Sequence, residues 1–330
     1  MKRSSAVDTR TASADSNGSG ARGNLRHLNS VLDLSRKDID RIFALTKAIK
    51  DRWSRGDRPP VLAGRVMAQV FEKPSLRTRV SFESAMMQLG GSSLFLTAKD
   101  AGLGGRESTC DVARVLGGYC DVIVLRTFSQ KLIDDFIRCS GTHVINGLSD
   151  VRHPCQALTD LYTMHEVFGD VAGKKFVFVG DGNNVATSLA GACALLDVPL
   201  TICAPDDYRI DDAFLAELKK KCPKAKVTQT SDFASALKDA AIVYTDVWTS
   251  MGQEAEDAER CRIFAPYQVN EQLMSRAPKS ARFLHCLPAK RGREVTDAVI
   301  DGPNSLVFQQ AENRMHLAKG LLCWMLGVEV

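Results

Sequence analysis

Ser75, Arg77, Thr78 and Arg79 fall within five residues of one another in Phe71-Glu-Lys-Pro-Ser-Leu-Arg-Thr-Arg-Val-Ser-Phe-Glu83. Two hydroxyls and two guanidiniums at this spacing can hold a phosphate at several points. The apolar run over 66–71 reads as a buried strand, and residues 80–87 carry helical spacing. The polar group therefore occupies a strand-to-helix turn, where unpaired backbone N–H groups and the positive helix end also favour an anion. No G-x-x-x-x-G-K-[ST] occurs, so this is not a P-loop. Taken alone, the stretch reads equally as a helix cap with solvated arginines.

Other stretches repeat the arrangement. His153-Pro-Cys-Gln156 opens a helix, with Pro154 suited to its first turn; His153 and Gln156 share a face and both can donate to an oxygen. Val179-Gly-Asp-Gly-Asn-Asn184 also runs from strand to helix. A dinucleotide fingerprint would need glycine where Val185 stands, and the other reading is that Asn183 and Asn184 present amides to a polar substrate. Asp246-Val-Trp-Thr-Ser-Met-Gly-Gln253 puts Asp246 at a strand's carboxyl end, where open α/β sheets take ligands. Gly252 is free to adopt positive φ in the Ser250-Met251-Gly252 turn, although an ordinary loop has the same composition. Phe283-Leu-His-Cys-Leu-Pro288 ends a strand in a corner whose Leu287–Pro288 bond is open to cis or trans, and Cys286 alone reads as a buried thiol. Arg314, opening the last helix, is either solvated or a further anion contact.

These residues need elements to carry them. Ser35 and Asp38 resemble a capping box for an amphipathic helix running to about Trp53. Strands are expected over 66–71, 92–97, 121–126 and 143–145, with helices near 82–89, 108–117 and 131–139. A helix over 154–168 leads into a second series of strands, over 174–179, 200–204, 226–229, 241–245, 282–287 and 305–309. The fold class is α/β: two doubly wound parallel-sheet domains joined by interdomain helices. The expected division is a disordered tail over 1–24, one domain over 25–153, a second over 154–312, and a terminal helix over 313–330 packing back on the first.

A formal charge of +4 over 330 residues, with no Lys/Arg block, argues against nucleic acid and suits small anionic substrates. No run of about 18 apolar residues spans a membrane. The ten cysteines form no C-x-x-C and no zinc spacing, which points to a reducing compartment. The expected location is the cytoplasm. A Ser/Arg-rich start leaves an organellar leader open, although Asp8 and Asp15 argue against one.

In order and spacing, the 75–79 cradle, Arg126, His153 to Gln156, Gly180 to Asn184, Asp246 to Gly252 and His285 to Pro288 resemble the aspartate/ornithine carbamoyltransferase family. The resemblance runs from about Leu25 to the C-terminus. It implies a homotrimer with active sites between subunits, no metal and no cofactor. It implies that Ser75, Leu76 (through its N–H), Arg77 and Thr78 hold the phosphate of carbamoyl phosphate. Arg126, His153 and Gln156 would contact the carbamoyl group, with Arg314 and the Leu287 carbonyl completing that site. Asp246, Ser250, Met251 and Asn184 would grip the acceptor, Cys286 would lie near its reacting amine, and the Leu287–Pro288 bond would be cis. Arg126, His153, Asp246 and Cys286 carry the expected catalytic roles.

L-Ornithine is the expected acceptor, giving citrulline in arginine biosynthesis, with the reverse direction left open. Asp246 suits a cationic α-amino group, which disfavours N-acylornithine; aspartate would need cations for a second carboxylate, and putrescine stays open. Leu76 stands where the family usually has Thr, at a position that contributes mainly its N–H. Gly102 stands where a side chain usually reaches the neighbouring subunit's phosphate, and Lys99 or Arg106 is expected to substitute. A catalytically silent paralogue would be expected to lack Arg77, His153 or Cys286, and all are present. A nicotinamide-dependent dehydrogenase lacks its third glycine.

Overall fold

A computed structural model describes residues 25–330 except Arg106 and Met251, so the expected 1–24 tail lies outside the described residues. The first half contains strands β1 (His27–Leu28), β2 (Val66–Phe71), β3 (Ser92–Thr97), β4 (Val122–Arg126) and β5 (His143–Leu148). Its helices are α1 (Arg36–Ser54), α2 (Leu76–Gln88), α3 (Thr109–Tyr119) and α4 (Gln130–Cys139). After α5 (Pro154–Phe168) come β6 (Lys175–Val179), α6 (Asn184–Leu195), β7 (Leu200–Cys203), α7 (Asp212–Lys221), β8 (Val227–Thr230), α8 (Phe233–Leu237) and β9 (Ala240–Thr245). The chain ends with α9 (Asp257–Phe264), α10 (Glu271–Met274), β10 (Arg282–His285), α11 (Asp297–Ile300) and α12 (Val307–Leu326).

The strands form two five-stranded sheets, ordered β1-β5-β4-β2-β3 and β10-β9-β6-β7-β8, and every pairing is parallel. The sequence dictates this. β4 (VIVLR) is buried throughout and β6 (KFVFV) in all but its first residue, the continuous apolar run of a strand covered on both faces. One apolar cluster extends from Leu28 and Ile42 through Tyr162 of α5 and Leu189 of α6 to Leu321 of α12, so it joins the two sheets. α12 packs against α1, α2 and α5.

Two expectations need correction. The strand expected over 305–309 is a single bridge, Phe283 to Ser305, followed at once by α12. That helix starts on Leu306 with no side-chain cap, so nothing in the sequence announces its start, and its β-branched and aromatic opening mimics a strand. The cysteines are also not all free: Cys110 and Cys139 form a disulfide between the start of α3 and the end of α4, while eight others are free. No helix among the described residues is long and apolar enough to cross a membrane.

Candidate active site

Six parallel strands deliver their carboxyl ends to one cavity of about 1240 Å³. From the first sheet, β2 leads to Ser75, β4 ends on Arg126 and β5 leads to His153. From the second, β6 leads to Asn183 and Asn184, β9 to Asp246, and β10 to Cys286 and Leu287. The register of β4 on β5 shifts between Leu125 and Arg126. The extra residue, Gly147, lies on β5, opposite the end of β4 that carries Arg126.

Ser75 caps α2 as expected, its hydroxyl oxygen accepting from the Thr78 N–H at 3.2 Å. The first-turn N–H groups of the thirteen-residue helix stand beside the cavity, and Leu76, Arg77 and Thr78 line it. Arg79 does not. It donates to Glu83 at 3.0 Å, stacks over the Phe95 ring at 3.7 Å, and so corrects the reading of a cradle with two guanidiniums from this turn. Residues two apart on a helix point to opposite sides.

The missing cations come from elsewhere. Arg126 donates to the Thr78 hydroxyl at 3.3 Å, and Arg314 of α12 reaches the same oxygen at 3.5 Å. Arg77, Arg126 and Arg314 thus converge with little acid to balance them. Burial first, then the neighbouring Arg314 and Arg77, together lower the Arg126 pKa to about 10. Arg77 is held below its ordinary value by burial and by Arg314, against a raising influence from Cys286 and Asp246. His153 is driven well below the usual imidazole range by burial first and by Arg314, Arg126 and Arg77 next, so it is neutral at pH 7. Arg126 Nε and His153 Nδ1 are buried and have no hydrogen-bond partner among the described residues. Buried donors of this kind, beside three guanidiniums, suit an anion.

The opposite wall is acidic. Asp246 Oδ2 accepts from Asn183 Nδ2 at 2.9 Å, while its Oδ1 accepts from the Val247 N–H at 2.8 Å and from the Cys286 thiol at 2.9 Å. Burial and the adjacent Asp246 push the Cys286 pKa far up, so this is a protonated thiol donating to a carboxylate. Asp246, His285 and Cys286 bring one potential ligand atom each within 4.8 Å of one another. A metal ion there would first have to displace the thiol proton. Asn183 also caps α6, and Asn184 donates to the Ser149 carbonyl at 2.7 Å, so both amides hold loops together. Ser250 lines the cavity, Gly252 has the positive φ (96°) its turn requires, and Met251 lies outside the described residues. The Leu287–Pro288 bond is cis.

Gln156 stands behind this wall rather than in it, 1 % exposed, its carbonyl oxygen accepting from Arg314. Several residues that the sequence does not announce hold the loops. Lys73, before the cradle, pairs with Asp150 before His153 and lies over the Phe128 ring at 4.2 Å. Arg260 donates to the Trp248 carbonyl at 2.6 Å and pairs with Asp181, tying the Asp246 loop to the β6 loop. The Asp181 pKa is raised to about 6 by burial, with Arg260 opposing. These pairs join residues about 80 positions apart, beyond the reach of local pattern.

Comparison with known proteins decides which family this site belongs to. The family model described as the aspartate/ornithine carbamoyltransferase carbamoyl-P binding domain matches residues 26–166, and that of the Asp/Orn binding domain matches residues 172–325. The chain belongs to the aspartate/ornithine carbamoyltransferase family. Within that family it is 48% identical to an ornithine carbamoyltransferase of Bacillus subtilis, over 90% of this chain and 92% of the relative. It is 44% identical to one of Methanopyrus kandleri, over 91% and 97%. Among solved structures, the ornithine carbamoyltransferase from Pyrococcus furiosus matches with a TM-score of 0.87 at 44% identity, over 92% of this chain and 97% of that one. A mitochondrial ornithine carbamoyltransferase from Coccidioides immitis matches with a TM-score of 0.84 at 31% identity, over 92% and 98%. The family's two substrate domains thus fall on the two halves of the chain that face the cavity.

Proposed function

We propose that this protein transfers the carbamoyl group of carbamoyl phosphate to the δ-amine of L-ornithine, giving L-citrulline and phosphate. The observation that carries the reading is the convergence of Arg77, Arg126 and Arg314 on a helix start, facing Asp246 across one cavity. Three guanidiniums and a row of N–H groups suit a phosphate dianion. A carboxylate with a protonated thiol beside it suits a cationic amino acid.

In this reading Ser75, the Leu76 N–H, Arg77 and Thr78 hold the phosphate. Arg126, neutral His153 and Thr78 donate to the carbamoyl oxygen as it gains charge under attack by the neutral δ-amine. A carbon–nitrogen bond forms, the carbon–oxygen bond to phosphate breaks, and the departing phosphate takes the amine's proton. Arg314, supported from behind by Gln156, neutralises that leaving group. Asp246, with Ser250, Met251 and Asn184, grips the α-substituents of ornithine, and Cys286 lies near the δ-amine. The remaining catalysis is positioning of two bound reactants. Residues 25–153, with residues 313–330 (most of α12 and the end of the chain), form the carbamoyl phosphate side, and 154–312 the ornithine side.

Assembly into a homotrimer belongs to the same reading. Leu76 (74 % exposed), Val80, Met87 and Leu94 leave apolar side chains uncovered on α2 and edge strand β3, beside the cradle. A second copy seated there would close the phosphate end, with Lys99 or Arg106 as its contribution. A cytoplasmic location belongs to the same reading and rests on the eight free thiols, with the Cys110–Cys139 disulfide standing against it.

The test is direct: carbamoyl phosphate and L-ornithine should yield citrulline and phosphate in equal amounts. Phosphate release without citrulline, or no reaction, refutes the assignment.

A further inference from the structure

Behind the arginine cluster lies a carboxylate that the reaction does not touch. Asp160 of α5 is fully buried, and one of its oxygens, Oδ1, accepts from two amides: Gln156 Nε2 at 2.7 Å and Gln310 Nε2 at 2.6 Å. Each amide is fixed at its far end by a group that can only donate. Gln156 Oε1 accepts from the Arg314 guanidinium, and Gln310 Oε1 accepts from the His285 backbone N–H at 3.0 Å. Neither amide can turn over without setting an NH₂ against another donor in a dry interior, where an unmade hydrogen bond is costly.

We infer that Asp160 is a positioning residue: by accepting from Gln156 it keeps that amide's oxygen towards Arg314, and so holds Arg314 in the anion site. The inference rests on the reading of Arg314 as a contact to the phosphate-bearing substrate. Gln310 carries the same constraint across α12 to the end of β10, one residue before Cys286, so one carboxylate braces both walls of the cavity. Burial raises the Asp160 pKa to about 7, against hydrogen bonds from Gln156 and Gln310 that lower it. Protonation does not undo the brace, because the carbonyl oxygen of a neutral carboxyl accepts as well. Asparagine offers the same oxygen in the same place, whereas leucine offers none.

The experiment compares Asp160→Asn and Asp160→Leu in the full-length enzyme, reading the Kd for inorganic phosphate and the KM for carbamoyl phosphate. Asp160→Asn should stay within about threefold of the parent, and Asp160→Leu should weaken both constants about tenfold or more. If the leucine chain fails to fold, Asp160→Ala, which admits a water able to donate or accept, should show the same loss. In an Arg314→Ala background, Asp160→Leu (or Asp160→Ala) should add nothing further to the phosphate Kd, since its effect runs through that arginine. Unchanged phosphate binding in a folded leucine or alanine variant, equal damage from asparagine, or additive losses with Arg314→Ala would each overturn the inference. A parent enzyme that neither binds phosphate nor makes citrulline would instead refute the reading on which it rests.

Discussion

At the residue scale the site is two charge problems set face to face. Three guanidiniums share one corner with little acid nearby to balance them, which suits a dianionic ligand. Arg77→Ala should therefore raise the KM for carbamoyl phosphate about a hundredfold while leaving the KM for ornithine within about twofold. Asp246→Ala should do the reverse, and separate saturation curves for the two substrates distinguish them. A common loss in both would show that each residue holds the fold rather than its own ligand. His153, neutral because burial and three arginines hold its pKa well below the usual range, should contribute no titration to phosphate binding between pH 6.5 and 8. The positions were legible locally, since Ser75, His153, Asp246 and Cys286 sit at strand ends or helix starts, but each also had an ordinary reading that only their order along the chain outweighed. Arg79 was misread because the turn was weighed as composition, when two residues of helix separate it from Arg77 by about half a turn. Asp160 was illegible, since its partner Gln310 lies 150 positions away.

At the scale of elements, a row of polar contacts runs along α5 and α12 beside their shared apolar core. Asn313 donates to Thr163 at 3.0 Å and to Glu166 at 2.7 Å, and Lys50 of α1 pairs with Glu166 at 2.7 Å. α12 also runs very close to α1: a Cβ on Gly320 would lie 2.1 Å from Thr46 Oγ1 and 2.8 Å from the Thr46 nitrogen. Gly320→Ala should accordingly cost roughly 1–3 kcal/mol, read as a lower denaturation midpoint, with KM values unchanged in the enzyme that remains folded. An unchanged midpoint would mean that the two helices separate freely. The parallel strands were readable because runs such as VIVL leave few alternatives to a strand covered on both faces. The start of α12 was not, because Leu306 offers no cap and its packing comes from α1, α2 and α5, distant in sequence.

At the scale of the whole molecule, protonation and assembly make separable predictions. His27, His143, His153 and His316 all have pKa values lowered, chiefly by burial, so below about pH 6.5 the unfolded chain takes up protons that the native one refuses. Stability should fall as the pH drops from 6.5 to 5. Asp160 and Asp181, raised to about 7 and about 6, act with the opposite sign, because the native state holds their protons there. Four histidines outnumber two carboxyls, so denaturant midpoints should decline towards pH 5; a rise would show that the carboxyls dominate. In solution the enzyme should have the mass of three 36.1 kDa chains. A monomer with full activity would remove any need for the uncovered α2 face.

The central claim is that Asp246 and its loop select ornithine while the arginine corner holds carbamoyl phosphate. It is tested most directly by measuring kcat/KM for ornithine, N-acetylornithine, aspartate and putrescine side by side at saturating carbamoyl phosphate. The account predicts efficient citrulline formation from ornithine and a kcat/KM at least about a hundredfold lower for carbamoylation of each of the others, which lack the free α-amino group, the reactive δ-amine or the α-carboxylate. N-Acetylornithine or aspartate turning over as well as ornithine would contradict it.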